Sequence, residues 1–227
     1  MTTTSPVTGR HTFGHAMHAH FSLDPAITYL NHGTVGVVPR RVQQAQQAIR
    51  DEIERQPARY VVRELADVGE FQLRMPPRMR TAAAAVASFV GVDAKDLAFV
   101  DNATTGYNAV LRSWPFEKGD EILVTDHSYG TVGLTAEYDA SRTGARVVTL
   151  AMPFPSTTPE KVIAAFEAAV TPRTRIAVVD HVTAPSALVL PLAEITARLR
   201  ARGVAVLVDG AHALGALPGD IQKLGVD

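Results

Sequence analysis

The chain has 227 residues, with 22 basic and 23 acidic side chains and a net charge of −1. At 46% hydrophobic and 20% charged residues it has the make-up of an ordinary globular protein, long enough for one large domain or one and a half smaller ones. Its charges are mixed along the chain, which argues against nucleic-acid or anionic-membrane partners, and no apolar run has the length of a bilayer span. There is no cysteine, so disulfides, thiolate nucleophiles and thiolate metal ligands are excluded together. The opening MTTTSPVTGRH has no apolar signal core, so the expected setting is cytoplasmic, with small molecules or a second copy of the chain as partners.

Residues 1–20 read as an N-terminal arm. His11, His15, His18 and His20 have no carboxylate or cysteine among them, which makes a solvated segment the better reading than a metal site. Residues 21–90 read as a loop followed by helices. Around Asn31, His32 and Gly33 the chain forms a tight polar loop, which either presents backbone to a ligand or is a plain turn. Val42, Ala45, Ile49 and Ile53 then follow helical spacing until Pro57, and Met79–Val90 forms a second helix closed by Gly91.

From residue 91 to 227 the pattern changes. Five short apolar runs look like strands: Leu97–Val100, Glu121–Thr125, Arg146–Leu150, Arg175–Val179 and Val204–Val208. Helical patterns separate most of them, at Gly106–Ser113, Gly133–Thr143, Pro159–Val170 and Pro191–Arg202. Such alternation predicts an α/β domain, a mostly parallel sheet with helices on both faces.

In a parallel sheet the residues after each strand share one rim, where ligands bind. Asp101–Gly106 places small and hydroxyl residues ahead of a helix. That is either an anion site suited to a single phosphate or an ordinary N-cap. No glycine-rich dinucleotide or triphosphate motif is present. Asp126, His127, Ser128 and Tyr129 put two flat rings over the rim, where they either sandwich a planar ligand or pack on the sheet edge. Asp180 through Ser186 offer hydrogen-bonding groups. Asp209 and His212 close the set, as a ligand for a cation or as a turn cap and a surface histidine. A phosphate cradle, a stacking platform and an opposing acid suit pyridoxal 5′-phosphate, whose chemistry needs an acid at its pyridine nitrogen.

The segments YLNHGTVGVVPRRV, DNATTGYNAVLRSW, TDHSYGTVG, DHVTAPSALVLPL and VLVDGAHALGALPGDIQKLGVD, in this order, resemble the class V aminotransferase superfamily, and most of all its isopenicillin-N epimerase-like branch. The resemblance implies the large domain of a fold type I pyridoxal phosphate enzyme, an epimerase, lyase or aminotransferase acting on an amino acid and forming a homodimer at full length. It also implies that Ala103, Thr104 and Thr105 bind the cofactor phosphate and that His127 or Tyr129 stacks on the ring. Asp209 would hold the ring nitrogen, with His212 near the phenolic oxygen or phosphate. Thr183 and Ser186 would be lesser contacts, and Asn31, His32 and Gly33 would border the substrate. The superfamily's Schiff-base lysine follows the aspartate by roughly twenty-five residues, which falls beyond Asp227. Lys223, the one lysine between Asp209 and Asp227, reads as a surface residue. The expectation is therefore a truncated N-terminal part carrying the cofactor half of a site and no catalytic lysine. Its alternative is a non-catalytic scaffold or interaction protein. A sheet cut short would also expose an edge and an apolar face, so poor solubility is expected.

Overall fold

The computed structural model describes residues 13–66, 69–217 and 221–226. His11 lies outside them. The chain divides into two compact units, Met1–Arg78 and Met79–Asp227.

In the first unit, His15–His20 form an exposed 3-10 turn that carries three of the arm's histidines. Helix α1 (Arg40–Arg55) starts directly after Pro39, whose carbonyl accepts from the amides of Val42 and Gln43. None of its residues is buried. The polar centre of this unit is Arg78, stacked 4.3 Å over the Tyr60 ring and bonded to Glu64 at 2.8 Å and Glu52 at 2.6 Å. Tyr60 and Glu64 are buried in a π-helical segment, Ala58–Leu65, where Arg59 adds a second ion pair to Glu64 at 2.7 Å.

Helix α2 (Arg78–Val90) starts at the last residue of the first unit and, within the second, buries Ala83, Ala87 and Val90 at helical spacing. Then follow α3 (Ala103–Ser113), β1 (Glu121–Thr125), α4 (Gly130–Thr143), β2 (Arg146–Leu150), α5 (Pro159–Ala169), β3 (Thr174–Asp180), α6 (Leu192–Arg200) and β4 (Ala205–Asp209). The four strands form one parallel sheet in the order β2-β1-β3-β4. Leu97–Val100, expected as a fifth strand, pairs with no strand among the described residues. Phe99 and Val100 stay about half exposed. An apolar run becomes a strand only where a neighbour completes its ladder, and here none does.

Side-chain alternation along the strands feeds two cores, as the pleat requires. Leu123, Ala177, Val179 and Val206 pack with Val162 and Phe166 of α5 and Ile195 and Leu199 of α6. Ile122, Val124, Ile176 and Val178 pack on the other face with Tyr107, Leu111, Val132 and Ala136 of α3 and α4. Each fully buried aliphatic side chain contributes about 1.5–3 kcal/mol relative to exposure, so the two layers hold the sheet from both sides.

The amino ends of the strands are tied by charge. Glu121, with no exposed surface, accepts from Thr171 at 2.8 Å and Thr174 at 2.9 Å, and pairs with Arg146 and Arg173. The connections β1-α4-β2 and β3-α6-β4 step away from the sheet centre in opposite directions. The gap between the carboxyl ends of β1 and β3 is therefore the topological switch point, the place where an open α/β sheet offers a ligand crevice.

Candidate functional site at the sheet rim

Helix α3 begins at Ala103, three residues earlier than the sequence pattern predicts, because Asn102 caps it. The Asn102 Oδ1 accepts from Thr105 N at 2.9 Å, and its carbonyl accepts from Gly106 N at 3.1 Å. Ala103 and Thr104 precede any intrahelical acceptor, so their amides point from the positive end of the helix dipole. The hydroxyl of Thr104 receives the Tyr107 hydroxyl at 3.0 Å and lies 3.3 Å from that of Thr131, in the first turn of α4. Tyr107 and Thr131 are themselves hydrogen-bonded. Two helix amino termini thus meet at one hydroxyl cluster. Thr105 turns its own hydroxyl back to Asn102, at 3.3 Å. Thr131 and Tyr107 were not among the expected site residues. The available signal was a threonine in the first turn of the helix that follows His127.

The β1 exit is a tight turn. Ser128 Oγ accepts from Thr125 N at 3.3 Å and donates to Asp180 Oδ2 at 2.9 Å, while His127 N donates to Thr125 Oγ1 at 3.2 Å. His127 is half-buried, with its ring edge-on to Phe154 at 5.1 Å and its Nδ1 2.7 Å from Ser186 Oγ. Tyr129 occupies the N-cap position of α4 and is half exposed. His127 and Ser186 are thereby joined across the switch point. Thr183 stands behind them, buried, 2.7 Å from Ser186 Oγ through its hydroxyl and accepting Leu188 N at 2.9 Å.

On the two remaining strands, Asp180 and Asp209 are ladder partners. Asp209 Oδ1 accepts from Ala211 N at 3.0 Å, so one oxygen does cap the turn. The other has no hydrogen-bond partner among the described residues. Asp180 is 2% exposed. Burial pushes its carboxyl up, the Ser128 hydrogen bond opposes that, and the neighbouring Asp209 charge adds to the rise, leaving it at about 6. Burial likewise lowers His181, whose backbone amide donates to Asp209 O at 2.9 Å. His212 sits half-buried in the turn that follows.

Ala103, Thr104, Thr105, His127, Tyr129, Thr183, Ser186, Asp209 and His212 thus lie at strand exits or adjoining helix starts of one sheet, where hydrogen bonds join His127, Ser186 and Thr183. Asn31, His32 and Gly33 lie in the first unit, in an exposed loop closed by Val35 N on Asn31 O at 3.2 Å, with the Tyr29 ring edge-on to His32 at 4.9 Å. Lys161 bonds to Ser156 O at 3.2 Å, and Lys223 lines an apolar groove of about 730 Å³ with His181, Phe89 and Leu214.

This arrangement defines a class: an open parallel α/β sheet with an Asn-capped helix start and two carboxyl groups on a common rim. The chain belongs to the class-V aminotransferase family, whose model matches residues 29–227. It is 33% identical over 205 residues to the isopenicillin N epimerase of Streptomyces clavuligerus, covering 90% of this chain and 49% of that protein. To the L-cysteine desulfhydrase of Arabidopsis thaliana it is 27% identical over 217 residues, covering 88% of this chain and 45% of the relative. Among solved structures, a mutant of C-DES with glycine covalently linked to its PLP cofactor superposes with a TM-score of 0.78 at 26% identity, over 92% of this chain and 53% of that one. The chain thus spans about half the length of the relatives it matches.

Proposed function

We propose that this chain binds pyridoxal 5′-phosphate at the sheet rim and carries the cofactor half of the site of a class-V, amino-acid-transforming enzyme, an epimerase, lyase or aminotransferase. The observation that carries the reading is that one sheet unit holds both the capped α3 amino terminus and Asp209, whose second oxygen has no hydrogen-bond partner among the described residues. The donor set fits the cofactor. The free amides of Ala103 and Thr104, with Thr104 and Thr105, would hold the phosphate. Asp209 would hold a protonated ring nitrogen, and His127, fixed by Ser186 and Phe154, would cover the ring face. Tyr129, Thr183 and His212 would be further contacts. When bound, pyridoxal phosphate supplies an electron sink for bonds breaking at an amino acid. The chain's own residues would fix the charge and face of that sink: Asp209 would keep the ring nitrogen cationic, and the half-buried hydroxyl cluster of Thr104, Tyr107 and Thr131 would keep the phosphate end in place. Asn31, His32 and Gly33 are assigned to the substrate border on the strength of their motif.

We assign a homodimer as the working form, supported by the exposed apolar side chains Phe89, Leu134 and Leu214. No helix among the described residues is long and apolar enough to cross a membrane, and we place the protein in the cytoplasm.

The test is titration of the purified chain with pyridoxal phosphate, followed by absorbance and by circular dichroism in the cofactor band. Saturable binding with an induced signal is expected, weakened by roughly tenfold or more in Asp209→Ala and in Thr104→Val. Absence of saturable binding overturns the reading.

A further inference from the structure

The rim holds two carboxyl groups where the proposed cofactor uses one. Asp180 and Asp209 end adjacent parallel strands in register, so their side chains emerge on the same face of the sheet. Asp180 is almost wholly buried and receives one side-chain hydrogen bond, from Ser128, at 2.9 Å. None of the ion pairs among the described residues reaches it.

The titratable groups around it are few. Asp126 and His127 lie on the β1 turn, with the backbone amide of Tyr129 favouring the charged form. His181 follows it on its own strand, and Asp209 and His212 come from β4 and the turn beyond. The Asp209 carboxylate disfavours a second negative charge, and no lysine or arginine contact offsets it. Burial without a cation, beside a like charge, is the environment in which a carboxyl group keeps its proton.

We infer that Asp180 carries a proton in the ligand-free chain at mildly acidic pH and releases it to solvent when Asp209 takes up the cofactor's ring nitrogen, so that cofactor binding is proton-linked through a residue outside the binding set. This rests on the pyridoxal phosphate reading above. The balance is simple: a carboxylic acid becomes a carboxylate, one O–H bond breaks, and the proton leaves to buffer. Burial is the main cause of the protonated state and the Asp209 charge adds to it; the cation gained at Asp209 removes that second contribution. Asp180 is a positioning residue in this scheme. Through Ser128 it also fastens the turn that presents His127, so the proton and the ring platform are coupled.

The experiment is calorimetric titration of the full chain with pyridoxal phosphate in buffers of different ionisation enthalpy, which counts the protons released. Proton changes on the cofactor itself cancel in the comparison with Asp180→Asn, which keeps an acceptor for Ser128 but has no carboxyl proton. Near pH 6 the unsubstituted chain should release a few tenths of a proton more than Asp180→Asn, with no difference at about pH 8.5. Equal release near pH 6, with both proteins binding, overturns the inference and leaves the cofactor reading standing. Failure of the unsubstituted chain to bind overturns both. A second measurement needs only the unsubstituted chain. In carboxyl-13C aspartate NMR, Asp180 should titrate well above an ordinary aspartate and move down when pyridoxal phosphate is added; an unmoved midpoint overturns the inference even where Asp180→Asn does not fold.

Discussion

The Nδ1 of His127 and the hydroxyl of Ser186 lie 2.7 Å apart although 59 residues separate them in the chain. The contact exists because β1 and β3 are neighbours in the sheet, with the strand order reversing between them. A hydroxyl beside one ring nitrogen fixes the imidazole plane. Ser186 is fixed in turn by Thr183, so the rim has a ring platform backed by a short hydrogen-bonded chain.

Ser186→Ala removes that backing. Losing one hydrogen bond of ordinary strength, about 1 kcal/mol, should weaken pyridoxal phosphate binding by about fivefold and reduce the induced circular dichroism per bound cofactor, with little change in the melting of the ligand-free chain. Thr183→Val should behave differently. It strands the half-buried amide of Leu188, so it should cost roughly 1–2 kcal/mol of folding stability in urea unfolding before any binding is measured.

Asp180 makes a separate, ligand-free prediction. Its folded carboxyl sits at about 6, above the ordinary value of 3.8, so the folded chain binds its proton more tightly than the unfolded chain does. The stability this contributes is fully present below the unfolded value and is lost as pH rises through about 6. In full it amounts to about 3 kcal/mol, since each tenfold gain in proton affinity is worth about 1.4 kcal/mol. Asp180→Asn lacks that slope. The difference in urea midpoint between the two proteins should therefore change between pH 4 and 7, in favour of Asp180→Asn at the higher pH. Parallel midpoints across that range would show that the carboxyl is not strained by its burial.

The contrast between Leu97–Val100 and the four true strands shows what the sequence could and could not carry. Period and composition mark apolar runs and helices, so the parallel α/β architecture was legible, as was the placement of His127 and Asp209 at strand exits and of Thr104 at a helix start. Ladder partners are a matter of topology, and the run at 97–100 looks like a strand while having no neighbour to bond. Helix starts were misplaced by three residues at α3 and α4, where Asn102 and Tyr129 take the cap positions. The pairs His127–Ser186, Ser128–Asp180 and Thr104–Thr131 were not legible. Each spans two strand exits or two helix starts, and strand order, not spacing, brings them together.

Glu121 predicts acid sensitivity at the opposite end of the sheet. Burial raises its carboxyl, but hydrogen bonds from Arg146, Thr171 and Thr174 outweigh this and bring it down to about 2. A lowered folded value means its stabilising effect is present above the ordinary value of 4.5 and is lost as pH falls toward 2. Glu121→Gln should remove this acid-dependent component. It should cost about 2 kcal/mol at neutral pH, a figure below that for a wholly buried pair because Arg146 and Arg173 are half exposed. Urea unfolding at pH 3 and pH 7 measures both effects: the two proteins should differ less at pH 3.

The groove beside the rim is walled by exposed apolar side chains. Phe89 is 70% exposed and Leu214 60% exposed, and both line a cavity of about 730 Å³ with Leu217, Ile221 and Leu224. Strands β2 and β4 form the two sheet edges, each paired on one side only among the described strands. Exposed apolar walls next to a free strand edge favour association over solvation. The chain should therefore self-associate as its concentration rises, seen as a concentration-dependent sedimentation coefficient. A charge placed in the wall opposes that at little cost to folding, because the replaced side chain is already in water. Leu214→Lys should shift the transition to higher concentration while leaving the melting temperature within a few degrees. A sedimentation coefficient that stays at the monomer value across the range would remove the groove as a driver of association.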